Sequence, residues 1–314
     1  MLHLNRRRFL TVSAALLASG NVPAASAAAT ASRRWQGIAL GAHASLTFQH
    51  PDPAEAGRLI AGCRNEIDRL EAIFSLYRRE SLLSRLNAAG RLDDPPADLL
   101  RLLSTAETIN RRTGGRFDPT VQPLWALHAH CLSERPPRLP GDAELAAARD
   151  TCGWRHLRYD ADEIAFDRPG MALTLNGIAQ GYIADRVSDW LRAQGLGNVL
   201  VETGEVRALG SRPDGTPWRV GLRAADGSER TDGKVDLRDG ALAVSAPLGT
   251  RLDGAGRVGH IIDPSSGHPG GTWSRVVVRA PSAAEADGYS TAFCLMERDA
   301  IEAARPPHID VMLT

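Results

Sequence analysis

Lysine is almost missing from this chain: Lys234 is the sole exception among 37 cationic side chains that are otherwise all arginine. A mechanism needing several lysines is thereby excluded, and neither a Walker-type loop nor a Gly-x-Gly-x-x-Gly loop occurs. Charge excess is missing too, since 37 acidic residues balance the 37 basic ones. That balance argues against a nucleic-acid binder, whose affinity comes from neutralising phosphates. The four cysteines, Cys63, Cys131, Cys152 and Cys294, show no C-x-x-C pair and no histidine at zinc-site spacing. An oxidising compartment would allow one or two disulfides, yet Cys63 and Cys294 fall on apolar faces of predicted helices, where buried free thiols are an equal expectation. What the chain does have is length, 314 residues, and 43% hydrophobic residues, enough for a sizeable core in one large domain or two small ones. That composition is not one of disorder.

The N-terminus reads as an address. Arg6-Arg7-Arg8-Phe9-Leu10 precedes an apolar run from Val12 to Val22, and Ala25-Ser26-Ala27 offers a small-residue cleavage site. The run is far shorter than the roughly 20 residues a membrane-spanning helix needs. The Arg-Arg-x-Phe-Leu string resembles a twin-arginine export signal; an ordinary secretory signal or an uncleaved anchor are the alternatives. The expectation is a cleavable leader over 1–27 and a mature domain over 28–314 in the bacterial periplasm, without stable membrane insertion. No cysteine lies near the cleavage site to carry a lipid. Losing a leader with arginines and no acids leaves the mature chain slightly acidic.

Ala39 to Gln49 reads as a strand. Asp52-Pro53-Ala54-Glu55 is a helix start, and Ile60, Cys63, Ile67, Leu70, Phe74 and Tyr77 recur at helical spacing on one face. A second helix is expected from about Ala97 to Arg112, stopped by Gly114-Gly115. The proline-rich stretch Pro136 to Gly141 is the one plausible internal boundary. Then come a strand at Ala172–Leu175, a helix at Tyr182–Gln194 closed by Gly195, and a strand at Val199–Glu202. Short strands are expected at Val206–Leu209, Trp218–Leu222, Ala241–Ser245, Gly259–Ile262 and Arg275–Arg279. Ser282 and Glu285 form a capping box that starts a helix reaching about Met296. Arg305 to Thr314 reads as an irregular tail. Consecutive strands with hairpin-length links favour α+β over a regular parallel sheet.

Several segments could carry chemistry, each with a bland alternative. Leu175 to Gly181 joins a strand to a helix through Gly177 and Gly181, which lets backbone approach an anion; most such turns are only connections. Asp287 and Thr291 lie one helical turn apart, and a carboxylate with a hydroxyl so placed could hold a hard divalent cation. An exposed Asp beside a packed Thr fits the same spacing. His260 in His260-Ile-Ile-Asp263-Pro264 could be a general base or a structural strand-end histidine. Phe117-Asp118-Pro119-Thr120 could equally be a helix stop and a cap. His128 and His130 look like a metal pair without a third ligand and are assigned to the surface.

These segments occur together and in order. Phe74-Ser75-Leu76-Tyr77 with Ser81 and Asn87 comes first, then Gly114 to Thr120, Gly177 to Tyr182, Thr203 to Gly210, His260 to Gly267 and Ala286 to Ala292. The series resembles the ApbE family, the FAD:protein FMN transferases, across roughly Gly41 to Met296. The strings Phe74 to Tyr77, Phe117 to Trp125 and Leu175 to Gly181 are similar to its NosX branch, whose members accompany the nitrous oxide reductase system.

The resemblance implies an α+β, T-fold-like core of two lobes, with mixed sheets, packed helices and a flavin cleft between the lobes. It implies FAD as substrate and Mg2+ as cofactor. A threonine or serine hydroxyl of a periplasmic flavoprotein, a NosR-like membrane protein, would attack the FMN-side phosphorus and release AMP. It places the metal on the Ala179 carbonyl, Asp287 and Thr291, and the general base at His260. Ser75, Tyr77, Phe117, Asp118, Thr120, Gly177, Ala179, Gln180, Glu202, Gly204 and Glu205 would line the flavin and pyrophosphate cleft with His260. Many members carry lysine where Gln180 stands, and Gly-Gly-Asp where Gly204-Glu205 stands. A magnesium-dependent FAD pyrophosphatase and a non-catalytic flavin-binding assembly factor are the competing readings.

Overall fold

The computed structural model describes residues 15–16, 32–223 and 230–314. The leader expected over 1–27 lies outside the described residues apart from 15–16, which form the two-residue strand β1 (Ala15–Leu16). Strands β2 (Ser32–Ala39) and β3 (Ala42–Gln49) make a hairpin where one strand, Ala39 to Gln49, was expected. Leu40 and Gly41 at its tip both have positive φ, 46° and 84°, as a two-residue primed turn requires. In α1 (Pro53–Phe74) the Asp52 carboxylate caps the first turn by accepting from the Ala54 amide at 2.8 Å, with Pro53 at the first position. The helix ends at Phe74, so Tyr77 lies beyond it rather than on its apolar face.

The short α2 (Leu82–Ala89) leads to β4 (Arg91–Asp93) and then to α3 (Ala97–Arg112), whose limits match the pattern read from the sequence. Helices α4 (Gln122–Ser133) and α5 (Asp142–Asp150) pack on each other across the proline-rich loop. Leu124 and Leu145 share one cluster there with Cys152 and Ile262. Strands β5 (Leu157–Tyr159) and β6 (Glu163–Phe166) form a small antiparallel sheet with β4.

After α6 (Ala179–Ala193) come β7 (Val199–Glu202), β8 (Val206–Leu209), β9 (Trp218–Arg223), β10 (Thr231–Leu237), β11 (Gly240–Ser245) and β12 (Val276–Ala280). The chain closes with α7 (Ala283–Phe293), α8 (Arg298–Ala304) and β13 (Asp310–Leu313). The main sheet has seven antiparallel strands in the order β13-β12-β11-β8-β7-β3-β2. Strand β11 up to Val244 and strand β7 up to Val201 are apolar runs because both faces of the sheet are covered there. On β7, Val199 and Val201 pack into the core that also holds α1, α3, α6 and α7, while Leu200 points the other way. On β11, Ala241 and Ala243 face the helices, and Leu242 and Val244 face Trp218 and Val220 of β9. Alternation with a period of two, buried on both sides, is the physical content of those continuous apolar runs.

Three expectations fail for identifiable reasons. Ala172–Leu175 is not a strand: the Asn87 side chain takes both backbone groups of Leu173 (2.7 and 2.8 Å), and the Thr174 amide donates to the Pro119 carbonyl at 2.8 Å. Gly259–Ile262 makes only isolated bridges, Arg251 with Gly259 and Ile262 with Pro269. The C-terminal tail is not irregular, because β13 adds an edge strand to β12. All four cysteines are buried and free. His128 is 1% exposed and its Nε2 sits 2.8 Å from the Gly267 carbonyl, so it belongs to the interior rather than the surface.

Candidate active site

One cleft, about 410 Å³ in volume, gathers most of the motif residues. That size suits a small-molecule ligand. Its floor is the meeting of α6 and α7. Gly177, in the turn before α6, lets the two helices come close: a Cβ there would stand 3.0 Å from the Thr291 hydroxyl oxygen. Ile178 offers α6 no side-chain cap, which leaves the first-turn amides of that helix to other partners. The Gly181 amide donates to Asp287 Oδ2 at 3.2 Å.

Asp287 and Thr291 line the cleft from α7, one turn apart as helix geometry requires. Asp287 is 3% exposed. Among the described residues, its second oxygen and the Thr291 hydroxyl take no hydrogen bond. Burial, with the Asp185 charge adding to it, pushes the Asp287 carboxyl up to about 8. Glu205, also on the wall, is pushed well above the carboxylate range by burial, then by Asp287 and Glu202, although the Val244 amide donates to it at 3.2 Å.

No group of three or more His, Cys, Asp or Glu side chains among the described residues is placed to hold a metal. A resident cation would therefore rest on one carboxylate with hydroxyl and carbonyl oxygens, the ligand set of a hard ion such as magnesium. The idle oxygens of Asp287 and Thr291 fit that role, and a cation there would relieve the desolvated carboxylate. Ala179, fully buried at the first position of α6, stands behind the wall, two residues before the amide that Asp287 accepts.

His260 is half-buried on the cleft wall, its Nδ1 3.2 Å from the Thr250 carbonyl. A carbonyl only accepts, so Nδ1 carries the hydrogen and Nε2 keeps the lone pair of the neutral ring. Burial lowers the pKa, opposed by the Thr250 and Pro247 carbonyls. At neutral pH the ring is therefore an uncharged base.

The other motif residues divide into wall and support. Tyr77 is half exposed on the rim, with the Asn176 amide donating to its hydroxyl at 3.5 Å. Phe117, Asp118, Gly177, Gln180 and Gly204 also line the cleft. The Gln180 side chain lies against Gly204, whose φ is +101° and where a Cβ would come 2.5 Å from Gln180 Oε1. Ser75, Thr120 and Glu202 are buried behind the wall. Ser75 Oγ accepts from the amides of Tyr77 (3.0 Å) and Arg78 (3.3 Å) and so shapes the turn that presents Tyr77. Thr120 donates to Asp118 at 2.7 Å and accepts from the Gly153 amide at 2.6 Å, and Glu202 accepts from Ser45 at 3.0 Å.

Sequence reading missed the hairpin tip Leu40-Gly41, the Ala246 to Thr250 wall and the Arg116–Asp263 ion pair (2.7 Å) beside the cleft. Trp125, which lines it too, had a signal in its position within the Phe117 to Trp125 string. The other features come from contacts between distant segments and leave no local trace.

A neutral base in the same cleft as a carboxylate–hydroxyl pair, beside the N-terminus of α6, is an arrangement suited to group transfer at a phosphate. The comparisons agree with that class. The profile of the ApbE family matches residues 40–313, and the chain belongs to that family. A relative from Vibrio cholerae serotype O1, FAD:protein FMN transferase, is 33% identical over 278 residues, covering 85% of this chain and 82% of its own. One of the same name from Salmonella typhimurium is 28% identical over 302 residues, covering 92% and 86%. Among solved structures, the flavin transferase ApbE from Vibrio cholerae superposes with a TM-score of 0.78 at 29% identity, covering 90% of this chain and 94% of that one. The apo form of Pseudomonas stutzeri flavinyl transferase ApbE gives 0.77 at 28% identity, covering 90% of each.

Proposed function

We propose that this protein is an FAD:protein FMN transferase that works with magnesium in the periplasm and labels a NosR-like flavoprotein. The observation that carries the reading is the cleft whose lining brings neutral His260 together with Asp287 and Thr291. The relatives' shared name supports the reaction, and the leader-like N-terminus supports export. The strings shared with the NosX branch support the partner.

In this reading the acceptor threonine or serine enters the cleft with its hydroxyl toward the FMN-side phosphorus of FAD. Nε2 of His260 takes the hydroxyl proton as the new O–P bond forms. The bond from that phosphorus to the bridging oxygen breaks, AMP leaves with that oxygen, and FMN stays on the acceptor as a phosphoester. Asp287 and Thr291, with the Ala179 carbonyl as a third oxygen, would hold the metal, which when bound neutralises pyrophosphate charge and stabilises the leaving AMP. With Gln180 in place of a lysine, the N-terminal end of the α6 dipole supplies fixed positive potential on the protein side. Tyr77 and Phe117 offer ring surface for the flavin.

The test mixes mature protein from about Ala28 with FAD, magnesium and the flavin domain of a NosR-like partner. FMN is expected to stay on the partner after denaturation, with AMP appearing in step and both stopping on chelation. Free FMN with AMP and no labelled partner would instead support a pyrophosphatase, and intact FAD a binding protein.

A further inference from the structure

The joint between α6 and α7 is reciprocal. The helices touch at their first turns, where a Cβ on Gly181 would stand 2.1 Å from the Ala283 carbonyl oxygen. Each then sends a carboxylate, four residues further along, back to the other's uncapped amides. Asp287 of α7 accepts from Gly181 of α6 at 3.2 Å. Asp185 of α6 accepts from Ala283 (2.8 Å) and Ala284 (3.0 Å) of α7. One carboxylate of this reciprocal clamp faces the cleft; the other has no place in the chemistry.

We propose that Asp185 is a positioning residue for the magnesium site: its grip on the α7 N-terminus sets where Asp287 and Thr291 stand relative to the start of α6. The inference rests on reading Asp287 and Thr291 as magnesium ligands. Three features show that the clamp is built rather than incidental. Asp185 engages two amides at once, both orphan donors of a helix start. Arg207 Nε of β8 lies 3.3 Å from the same carboxylate, so β8 holds Asp185 in turn. α7 already has its own cap, because Ser282 Oγ accepts from the Glu285 amide at 3.2 Å. The second grip therefore adds alignment between helices to a helix start that is already closed. Groups that support a ligand from outside the ligand set typically change metal affinity ~10–100-fold when removed.

Asp185→Asn keeps the shape, loses the charge and leaves one oxygen for two amides. The test follows the thermal midpoint of purified protein and, separately, the transfer rate, both as functions of magnesium concentration. The expected result is that the variant needs ~10-fold more magnesium for half of each response. At saturating magnesium its rate returns to near the wild-type value, and the KM for FAD does not change. Ser282→Ala, which weakens the α7 start without touching the clamp, is expected to lower the midpoint while leaving the magnesium requirement alone. If Asp185→Asn does not fold, Asp185→Glu keeps charge and both oxygens but displaces the grip, and is expected to raise the magnesium requirement too. A magnesium requirement unchanged in the Asp185 variant, or raised equally by Ser282→Ala, overturns the positioning role and leaves the metal reading standing. A wild-type protein whose midpoint and rate both ignore magnesium overturns the metal reading and this inference with it.

Discussion

At the scale of single residues the cleft is a problem of protonation. His260 serves as a base only when neutral, and burial places its pKa below the ordinary value of 6.5. The transfer rate is therefore expected to be flat above neutrality and to fall only as pH drops through that lowered value, in a pH profile at saturating magnesium. His260→Ala should lower kcat by ~10²–10⁴-fold while FAD affinity stays within a few-fold. Collapse of FAD binding with normal turnover of bound enzyme would make His260 a binding residue instead. Gln180→Lys places a cation on the cleft wall against Gly204 and is expected to hold or raise the rate; a sharp loss would show that the amide makes a contact lysine cannot. Burial pushes the thiols of Cys63 and Cys152 up, to about 12 and about 11, so a thiol reagent should find neither until the protein unfolds.

At the scale of elements, backbone clearance decides. Gly181→Ala would drive a methyl into the Ala283 carbonyl and should cost ~1–3 kcal/mol in denaturant unfolding, with loss of magnesium response as the helices part. Gly57→Ala in α1 is the contrast, since a Cβ there meets nothing within 4 Å. It should stabilise by ~0.5–1 kcal/mol through helix propensity. If the two changes have equal effects, the close approach of α6 and α7 is not what makes Gly181 necessary. The segment 172–175 teaches the same lesson from the other side. It looks like a strand, but the Asn87 amide takes the backbone groups of Leu173 that a neighbouring strand would need.

At the scale of the whole molecule, the buried acids make stability depend on pH and on the ion together. Asp185 and Asp287 are raised from 3.8 to about 6 and about 8, and Glu205 is raised as well. A native state that holds protons the unfolded chain releases loses stability as pH rises. Their contribution is full below about 4, then declines through about 6 for Asp185 and about 8 for Asp287. Buried His128 and half-buried His260, with depressed pKa values, act in the opposite sense and cost stability only in acid. Metal-free protein should therefore melt at lower temperature at pH 9 than at pH 6. Magnesium binds the ionised carboxylate, so its stabilising effect should grow over the same interval. Thermal midpoints with and without magnesium from pH 6 to 9 would show this. A magnesium effect independent of pH would mean that Asp287 does not change protonation when the ion binds.

Local chemistry was legible in the sequence wherever a short-range rule governed it. The Asp52 and Ser282 caps, the limits of α3, strand β7 and the shared face of Asp287 and Thr291 all follow from helix and strand periodicity over a few residues. The order of the motifs was visible as well, and with it the family. Tertiary structure alone decided what depends on long-range pairing. It placed Tyr77 off its helix and on the cleft rim, and paired the tail with β12 as an edge strand. It brought His260 to the cleft that Asp287 and Thr291 of α7 also line, and locked α6 to α7 through Asp185. Propensity and capping act within a turn or two of chain, whereas burial, desolvation and the partner of each hydrogen bond depend on which distant segment arrives, and those set the protonation of Asp287 and His260.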